Sequence, residues 1–137
     1  MKLKIGIFDS GIGGFTILNS LLKTRKDVEV IYLADSKRIP FGNKNYKEIR
    51  VIAKEICSFF EDKNLDAILI VSPGSPDRGV KQGRFYVIKN TRMPAVLVEI
   101  GFLTGRLDAR RLEKITHRRR LAYAISKGIL EYLDKVG

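Results

Sequence analysis

The stretch that decides the fold of this chain is Ile5-Gly6-Ile7-Phe8-Asp9-Ser10-Gly11-Ile12-Gly13-Gly14. Its apolar first half runs directly into a glycine-rich turn, which is typical of a buried strand that leads into a helix. A helix is expected to follow over about 14–23, with an inward face formed by Phe15, Leu18, Leu21 and Leu22. This order of elements predicts an α/β fold.

The rest of the chain continues the alternation of strands and helices. Strands are expected at Val28–Leu33, Ala67–Val71, Arg84–Ile88 and Val96–Glu99, with the direction of the 84–88 strand left open. Helices are expected over 45–63, which starts with an Asn45/Glu48 capping box, over 108–114 and over 116–133. The inward face expected for the last helix is Leu121, Ile125, Gly128, Ile129, Tyr132 and Leu133.

These elements predict one single-layer, mostly parallel sheet of about five strands with helices on both faces. The architecture is that of a flavodoxin-like or Rossmann-like sandwich. The chain has 137 residues, which suits a single α/β domain. We expect that domain to be built from two fragments, 1–71 and 72–137.

Composition limits the setting in which the chain works. Hydrophobic residues make up 45% of it, as in globular domains, but no apolar run approaches the ~20 residues that span a bilayer. No signal peptide is readable at the start of the sequence. Cys57 is the only cysteine, so no disulfide is expected, and a structural role in a helix is the expected one. These features favour a cytoplasmic protein that does not contact membranes.

Positive charge is the compositional outlier. The net charge is +11, and most of it lies in residues 72–137. Its densest part, called the basic cluster below, is formed by Arg110, Arg111, Lys114, Arg118, Arg119 and Arg120. Such a cluster is either a solvated face or a site for nucleic acid or an anionic cell-wall polymer. No aromatic residue interleaves it to stack on bases.

The first half of the chain resembles the glutamate racemases. The glycine-rich turn and the later Arg38-Ile39-Pro40-Phe41-Gly42 string carry this resemblance, which covers about residues 1–71. It implies that Asp9, Ser10, Phe41 and Gly42 match residues that contact an amino acid substrate. The family's first catalytic cysteine belongs where this chain has Val71-Ser72-Pro73-Gly74, and the half that carries the second is missing. Racemase activity is therefore not expected.

The second half resembles the zinc-dependent N-acetylmuramoyl-L-alanine amidases. Arg78 to Gln82, Phe85 to Ile88 and Met93 to Thr104 carry the resemblance, which covers about residues 77–133. It implies that Glu99 matches the catalytic carboxylate beside the zinc ion. The His, Glu and His that hold the zinc in that family have no counterpart here, and His117 is the only histidine. We therefore expect neither a metal site nor another cofactor.

Two incomplete signatures predict a protein without natural catalytic function. On this interpretation the chain is an engineered or recombined chimera of two peptidoglycan-related parents, a de novo scaffold joined near residues 71–77, and not an enzyme. Two alternatives are weak binding of a glutamate-like carboxylate at the Asp9/Ser10 turn and non-specific binding of an anionic polymer by the basic cluster. No specific partner is expected. A segment-swapped homodimer is left open, because a poorly matched junction or an exposed edge strand would favour it.

Overall fold

The computed structural model is built around one four-stranded sheet in which every strand pair is parallel. It describes residues 2–10, 14–39, 41–72, 85–100 and 106–136. The strands are β1 (Leu3–Asp9), β2 (Val28–Ala34), β3 (Ala67–Ser72) and β4 (Ala95–Glu99). Their order across the sheet is β2-β1-β3-β4, the start of the flavodoxin-like order. The predicted α/β fold class is confirmed, with four described strands instead of about five.

Five α-helices surround the sheet in the described part of the chain. They are α1 (Gly14–Thr24), α2 (Tyr46–Glu61), α3 (Tyr86–Asn90), α4 (Arg106–Glu113) and α5 (Ile115–Val136). A short 3₁₀ turn, Phe41–Asn43, precedes α2. Helices α1 and α5 pack on one face of the sheet, and α2 and α3 pack on the other. Helix α4 contacts α5.

The alternation of side chains along the strands divides the apolar core into two parts. On the face of α1 and α5, strand residues such as Ile5, Ile7 and Leu69 are buried against helix residues such as Leu21 and Leu133. The opposite face buries its own set of strand and helix residues, among them Phe8, Ile68, Ile70, Ile56 and Phe60. Because both faces are covered, the central strands read as continuous apolar runs in the sequence.

Helix α2 begins where the sequence predicted it, for the predicted reason. Asn45 accepts a hydrogen bond from the Glu48 backbone N–H at 3.0 Å, and Glu48 accepts one from the Asn45 backbone N–H at 2.8 Å. This capping box satisfies N–H groups that have no partner within the helix.

The strand predicted at 84–88 is wrong. Arg84 lies outside the described residues, and Tyr86–Asn90 forms helix α3. Tyr86, Val87 and Ile88 have high β-propensity, but Val87 is buried on the face that α2 covers. Packing against α2 therefore overrides the local preference and removes the expected fifth strand.

The predicted inward faces of α1 and α5 are shifted. In α1 the buried side chains include Ile17 and Leu21, whereas Phe15 is 62% exposed. The buried residues of α5 are Ala122, Ser126, Leu130 and Leu133. The buried faces differ from the predicted ones because α1 and α5 pack against each other as well as against the sheet. The sequence pattern of one helix contains no information about that second contact.

Helices α1 and α5 run in the same direction, so their starts lie at one edge of the sheet. Arg25, just after α1, donates to Asp134 near the end of α5 at 2.9 Å. Ile129 and Tyr132 lie beside Ala67 and Pro94, at the amino ends of β3 and β4. The start of α5 consequently lies at the carboxyl edge.

None of the helices in the described ranges is both long enough and apolar enough to cross a membrane.

Candidate functional site

Polar side chains gather at the carboxyl edge of the sheet, the edge at which open α/β sheets bind ligands. Asp9 ends β1 and Ser10 directly follows it, and Glu99 ends β4. In the strand register Asp9 pairs with Val71, and Glu99 pairs with Ser72. Since β3 separates the two strands, the Asp9 and Glu99 backbones lie about 10 Å apart.

The Asp9 carboxyl group is buried and holds three elements together. The residue is 2% exposed. Its Oδ2 accepts a hydrogen bond from the Gly14 N–H at 2.9 Å and another from the Tyr32 hydroxyl at 2.7 Å. Asp9 therefore connects β1 to β2 and to the start of α1. Burial and the bond to Asp9 both raise the pKa of Tyr32.

The other residues of the racemase resemblance also make contacts within the fold. The Ser10 hydroxyl donates to the Val71 carbonyl at 3.1 Å. Phe41 packs edge-on against Phe8, with ring centroids 6.4 Å apart, and Gly42 follows it in the 3₁₀ turn. Phe8 and Phe41 pack on the α2 face, whereas Asp9 contacts the start of α1 on the other face. The structure thus does not bring Phe41 and Asp9 into one pocket.

Two residues near this edge, Tyr32 and Arg38, were missed by the sequence reasoning. Tyr32 supplies the hydroxyl that binds Asp9, and Arg38 donates to Asp35 at 2.5 Å and also pairs with Glu55. The bond to Glu55, which has the larger effect, and the bond to Asp35 both raise the pKa of Arg38. A signal for Arg38 was its place in the Arg38–Gly42 string. A hydroxyl at Tyr32, within an apolar strand, was a second signal.

Glu99 differs from Asp9 in every respect that matters for chemistry. It is exposed, and it forms no hydrogen bond or ion pair with the described residues. Its strand neighbours Ala95 and Leu97 pack on the α2 face, so the alternation of the strand places Glu99 on that face as well. Its carboxyl group is free to contact a ligand or a water molecule.

The basic cluster lies at the same edge as Glu99. It extends from the end of α4 into the start of α5, and the two helices are joined at Lys114, whose carbonyl accepts from the Arg118 N–H at 3.1 Å. Arg118 and Ile100 line one small cavity, so the start of α5 lies beside the residue that follows Glu99. Arg118 is half-buried, and the other five cluster residues are exposed. The role of the basic cluster in binding anions stays a prediction.

The described residues do not fit the zinc site that the amidase resemblance implies. Within the described ranges, no three His, Cys, Asp or Glu side chains lie close enough together to hold a metal ion. His117 is at the start of α5, whereas Cys57 belongs to α2 and is buried on the opposite face of the sheet. These two residues therefore cannot share one ion. Burial raises the pKa of the Cys57 thiol, which agrees with its expected structural role.

Both resemblances appear in comparisons with known proteins. A family model described as N-acetylmuramoyl-L-alanine amidase matches residues 18–131. The glutamate racemase of Prochlorococcus marinus (strain NATL1A) is 48% identical over 68 residues, which are 50% of this chain and 26% of that protein. The chain thus spans about a quarter of the length of the curated relatives it matches.

Solved structures of both kinds share the fold. The CwlD amidase from Clostridioides difficile superposes with a TM-score of 0.69 at 16% identity, covering 96% of this chain and 98% of that one. The glutamate racemase from Aquifex pyrophilus gives a TM-score of 0.53 at 30% identity, covering 69% of this chain and 36% of the racemase. The amidase likeness therefore extends over nearly the whole fold.

These findings correct two predictions. The expectation of a functionless engineered chimera is wrong, because the amidase match runs from residue 18 to residue 131, across the join expected near 71–77. The expectation that the chain is not an enzyme is contradicted by the same family match. The chain lacks recognisable zinc ligands and racemase cysteines, but its amidase pattern extends through most of the sequence.

Proposed function

Because the chain belongs to the N-acetylmuramoyl-L-alanine amidase family, we propose that it hydrolyses the lactyl-L-alanine amide of peptidoglycan at Glu99. The observation that carries this proposal is the position of Glu99, an exposed carboxyl group at the carboxyl edge of the sheet. It is also the residue that the amidase resemblance implies to be catalytic.

A carboxylate in this position can act as a general base. Glu99 takes a proton from a water molecule, and the water oxygen forms a bond to the amide carbon. Glu99 then returns the proton to the amine as the carbon–nitrogen bond breaks. The products are a carboxylic acid on the lactyl group and a free amino group on L-alanine.

The basic cluster supports an anionic substrate at this edge. The peptide stems of peptidoglycan carry carboxylates, and exposed arginine side chains bind carboxylates well because their N–H groups form a planar fork. Arg118 of the cluster lines the same small cavity as Ile100, the residue that directly follows Glu99 in the chain. Arg119 and Arg120 lie on the α5 face of the sheet and Glu99 on the α2 face, so a substrate bound by both would cross the carboxyl edge, with its stem at the arginines and its amide at Glu99.

The experiment that tests the proposal measures new amino-terminal alanine released from purified peptidoglycan, with and without added zinc salt. The Glu99→Gln variant is expected to lower the rate at least about 100-fold, because general bases contribute 10²-fold or more. Glu61→Gln is the matched control, since Glu61 is an exposed glutamate at the end of α2, at the opposite edge of the sheet. The proposal is overturned if the unmodified protein generates no new amino-terminal alanine both with and without added zinc salt.

The cytoplasmic location expected from the sequence stays a prediction. A peptidoglycan substrate requires the chain to reach the cell wall. Fractionation of cells that express the chain, followed by detection with an antibody, distinguishes the two locations.

A further inference from the structure

Within the described residues, no strand covers the outer edge of β4. In the described part of the chain, β4 pairs with β3 on one side and with no strand on the other. The Ile68 N–H donates to the Pro94 carbonyl at 2.9 Å, so the backbone of Pro94 faces β3. By the alternation of a strand, Val96 and Val98 also direct their backbone groups to β3. The backbone N–H and C=O groups that point outward, away from β3, are therefore those of Ala95, Leu97 and Glu99.

An apolar groove lies beside this edge, on the α5 face. It has a volume of about 510 Å³ and lies between α5 and strands β3 and β4. Val96 and Tyr132 line it and remain 49% and 42% exposed. Exposed apolar side chains next to unpaired backbone groups are the features that make an edge strand associate with another strand.

We propose that a second copy of this chain covers the groove by pairing its β4 with β4 in antiparallel orientation. The two-fold axis passes through Leu97, so that the two Leu97 residues exchange both of their outward hydrogen bonds. Ala95 of each copy pairs with Glu99 of the other in the same way. The two sheets then form one continuous sheet.

The side chains of β4 are complementary to themselves in this register. Val96 of one copy lies opposite Val98 of the other, on the groove face, and the pair of apolar side chains stabilises the contact. Glu99 lies opposite the small side chain of Ala95, so no like charges face each other and the catalytic carboxyl group is not covered by a large side chain. No residue within β4 (Ala95–Glu99) is a proline or lysine, the residues that most often block edge pairing.

The distribution of charge also favours the antiparallel arrangement. The start of α5 carries Arg118, Arg119 and Arg120 at the carboxyl edge, whereas near its end Lys127 pairs with Glu131 and Asp134 pairs with Arg25. An antiparallel pair of strands places the basic start of one α5 at the amino edge of the partner's sheet. A five-residue strand is about 17 Å long. The two basic clusters are thus separated by more than the Debye length of about 8 Å at physiological ionic strength.

The first test compares solution mass by sedimentation equilibrium over a wide range of protein concentration. The unmodified chain is expected to dimerise, and Val96→Lys to raise the dissociation constant at least about tenfold, because the substitution puts two positive charges across the interface. Val51→Lys is the matched control, since Val51 is 56% exposed on α2, on the other face, and it should leave the constant unchanged. A monomer at all concentrations, or a dimer equally sensitive to both variants, overturns the proposal.

The second test examines the register. Residues that form a hydrogen-bonded antiparallel pair have Cα atoms about 5.5 Å apart, within the range of a disulfide. Oxidised Leu97→Cys should therefore form a covalent dimer, whereas Val51→Cys should not. The unmodified chain is the background, because its Cys57 is buried. Equal cross-linking of both variants, or none at position 97 in a chain that sediments as a dimer, overturns this register.

Discussion

Asp9 and Glu99 both end strands at the carboxyl edge of one sheet, yet the fold uses them in opposite ways. Asp9 is 2% exposed and accepts hydrogen bonds from α1 and β2, whereas Glu99 is exposed and has no partner among the described residues. Asp9 ends a central strand, which is covered by α1, and Glu99 ends the strand at one edge of the described sheet. A carboxyl group at this edge therefore stabilises the fold or is available for chemistry, depending on whether its strand is central.

Removal of the Asp9 carboxyl group should have the largest effect on stability. Asp9→Ala leaves the Gly14 N–H and the Tyr32 hydroxyl without their acceptor in a buried site, and we expect a loss of about 2–4 kcal/mol in the free energy of unfolding. Glu99→Ala should change it by less than about 0.5 kcal/mol, because the side chain is exposed. Urea denaturation measures both variants. Equal losses would contradict the division of roles between the two residues.

A methyl group at Gly14 tests how closely α1 approaches Asp9. A Cβ at this position would lie 2.7 Å from Asp9 Oδ2, so Gly14→Ala should lower the free energy of unfolding by about 1–3 kcal/mol. Gly128→Ala is the matched control within α5, where a Cβ would meet no atom within 4 Å. It should raise stability by about 0.5–1 kcal/mol, because alanine favours helices. The pair is measured in dilute protein by thermal unfolding, and effects of the same sign would refute the expected contact.

Among the three changes around Asp9, loss of the Tyr32 hydroxyl should have the smallest effect on the free energy of unfolding. Tyr32→Phe is expected to cost about 1 kcal/mol at neutral pH, because one hydrogen bond to Asp9 is lost. The folded state raises the pKa of Tyr32, so this residue's contribution is fully present below the ordinary tyrosine pKa of about 10 and is lost as the pH rises above it. Stability should therefore fall less steeply above pH ~10 in the variant than in the unmodified chain.

Tyr46→Phe is the control for that measurement, because Tyr46 is 78% exposed. Its pH profile, measured by urea denaturation, should follow that of the unmodified chain. If the pH profile of Tyr32→Phe also matches that of the unmodified chain, the bond to Asp9 does not raise the pKa of Tyr32.

The elements that the sequence predicted correctly are those with local causes. The capping box of Asn45 and Glu48 acts within one turn, and the apolar run of β3 is a property of consecutive residues. The strand predicted at 84–88 failed because the buried position of Val87 depends on α2, which lies far away in the chain. Phe15 was placed inward by its spacing, although its ring contacts Tyr32 from an exposed position.

The candidate site shows the same division. Glu99 and Asp9 were found from motifs, but their motifs did not distinguish an exposed carboxyl group from a buried one. The Tyr32 bond to Asp9 spans 23 residues, and the small cavity shared by Ile100 and Arg118 joins β4 to α5. A sequence lists such residues without showing that they meet.

The sequence by itself determined the alternation of strands and helices, the parallel sheet and the two family resemblances, because periodicity, caps and motifs are properties of neighbouring residues. Only the tertiary structure decided that Asp9 is an internal hydrogen-bond acceptor and that the basic cluster lies at the edge of Glu99. It also decided that, among the described strands, β4 has no neighbour on its outer side. The physical reason is that burial and charge proximity arise from contacts between distant segments, as between Arg25 and Asp134.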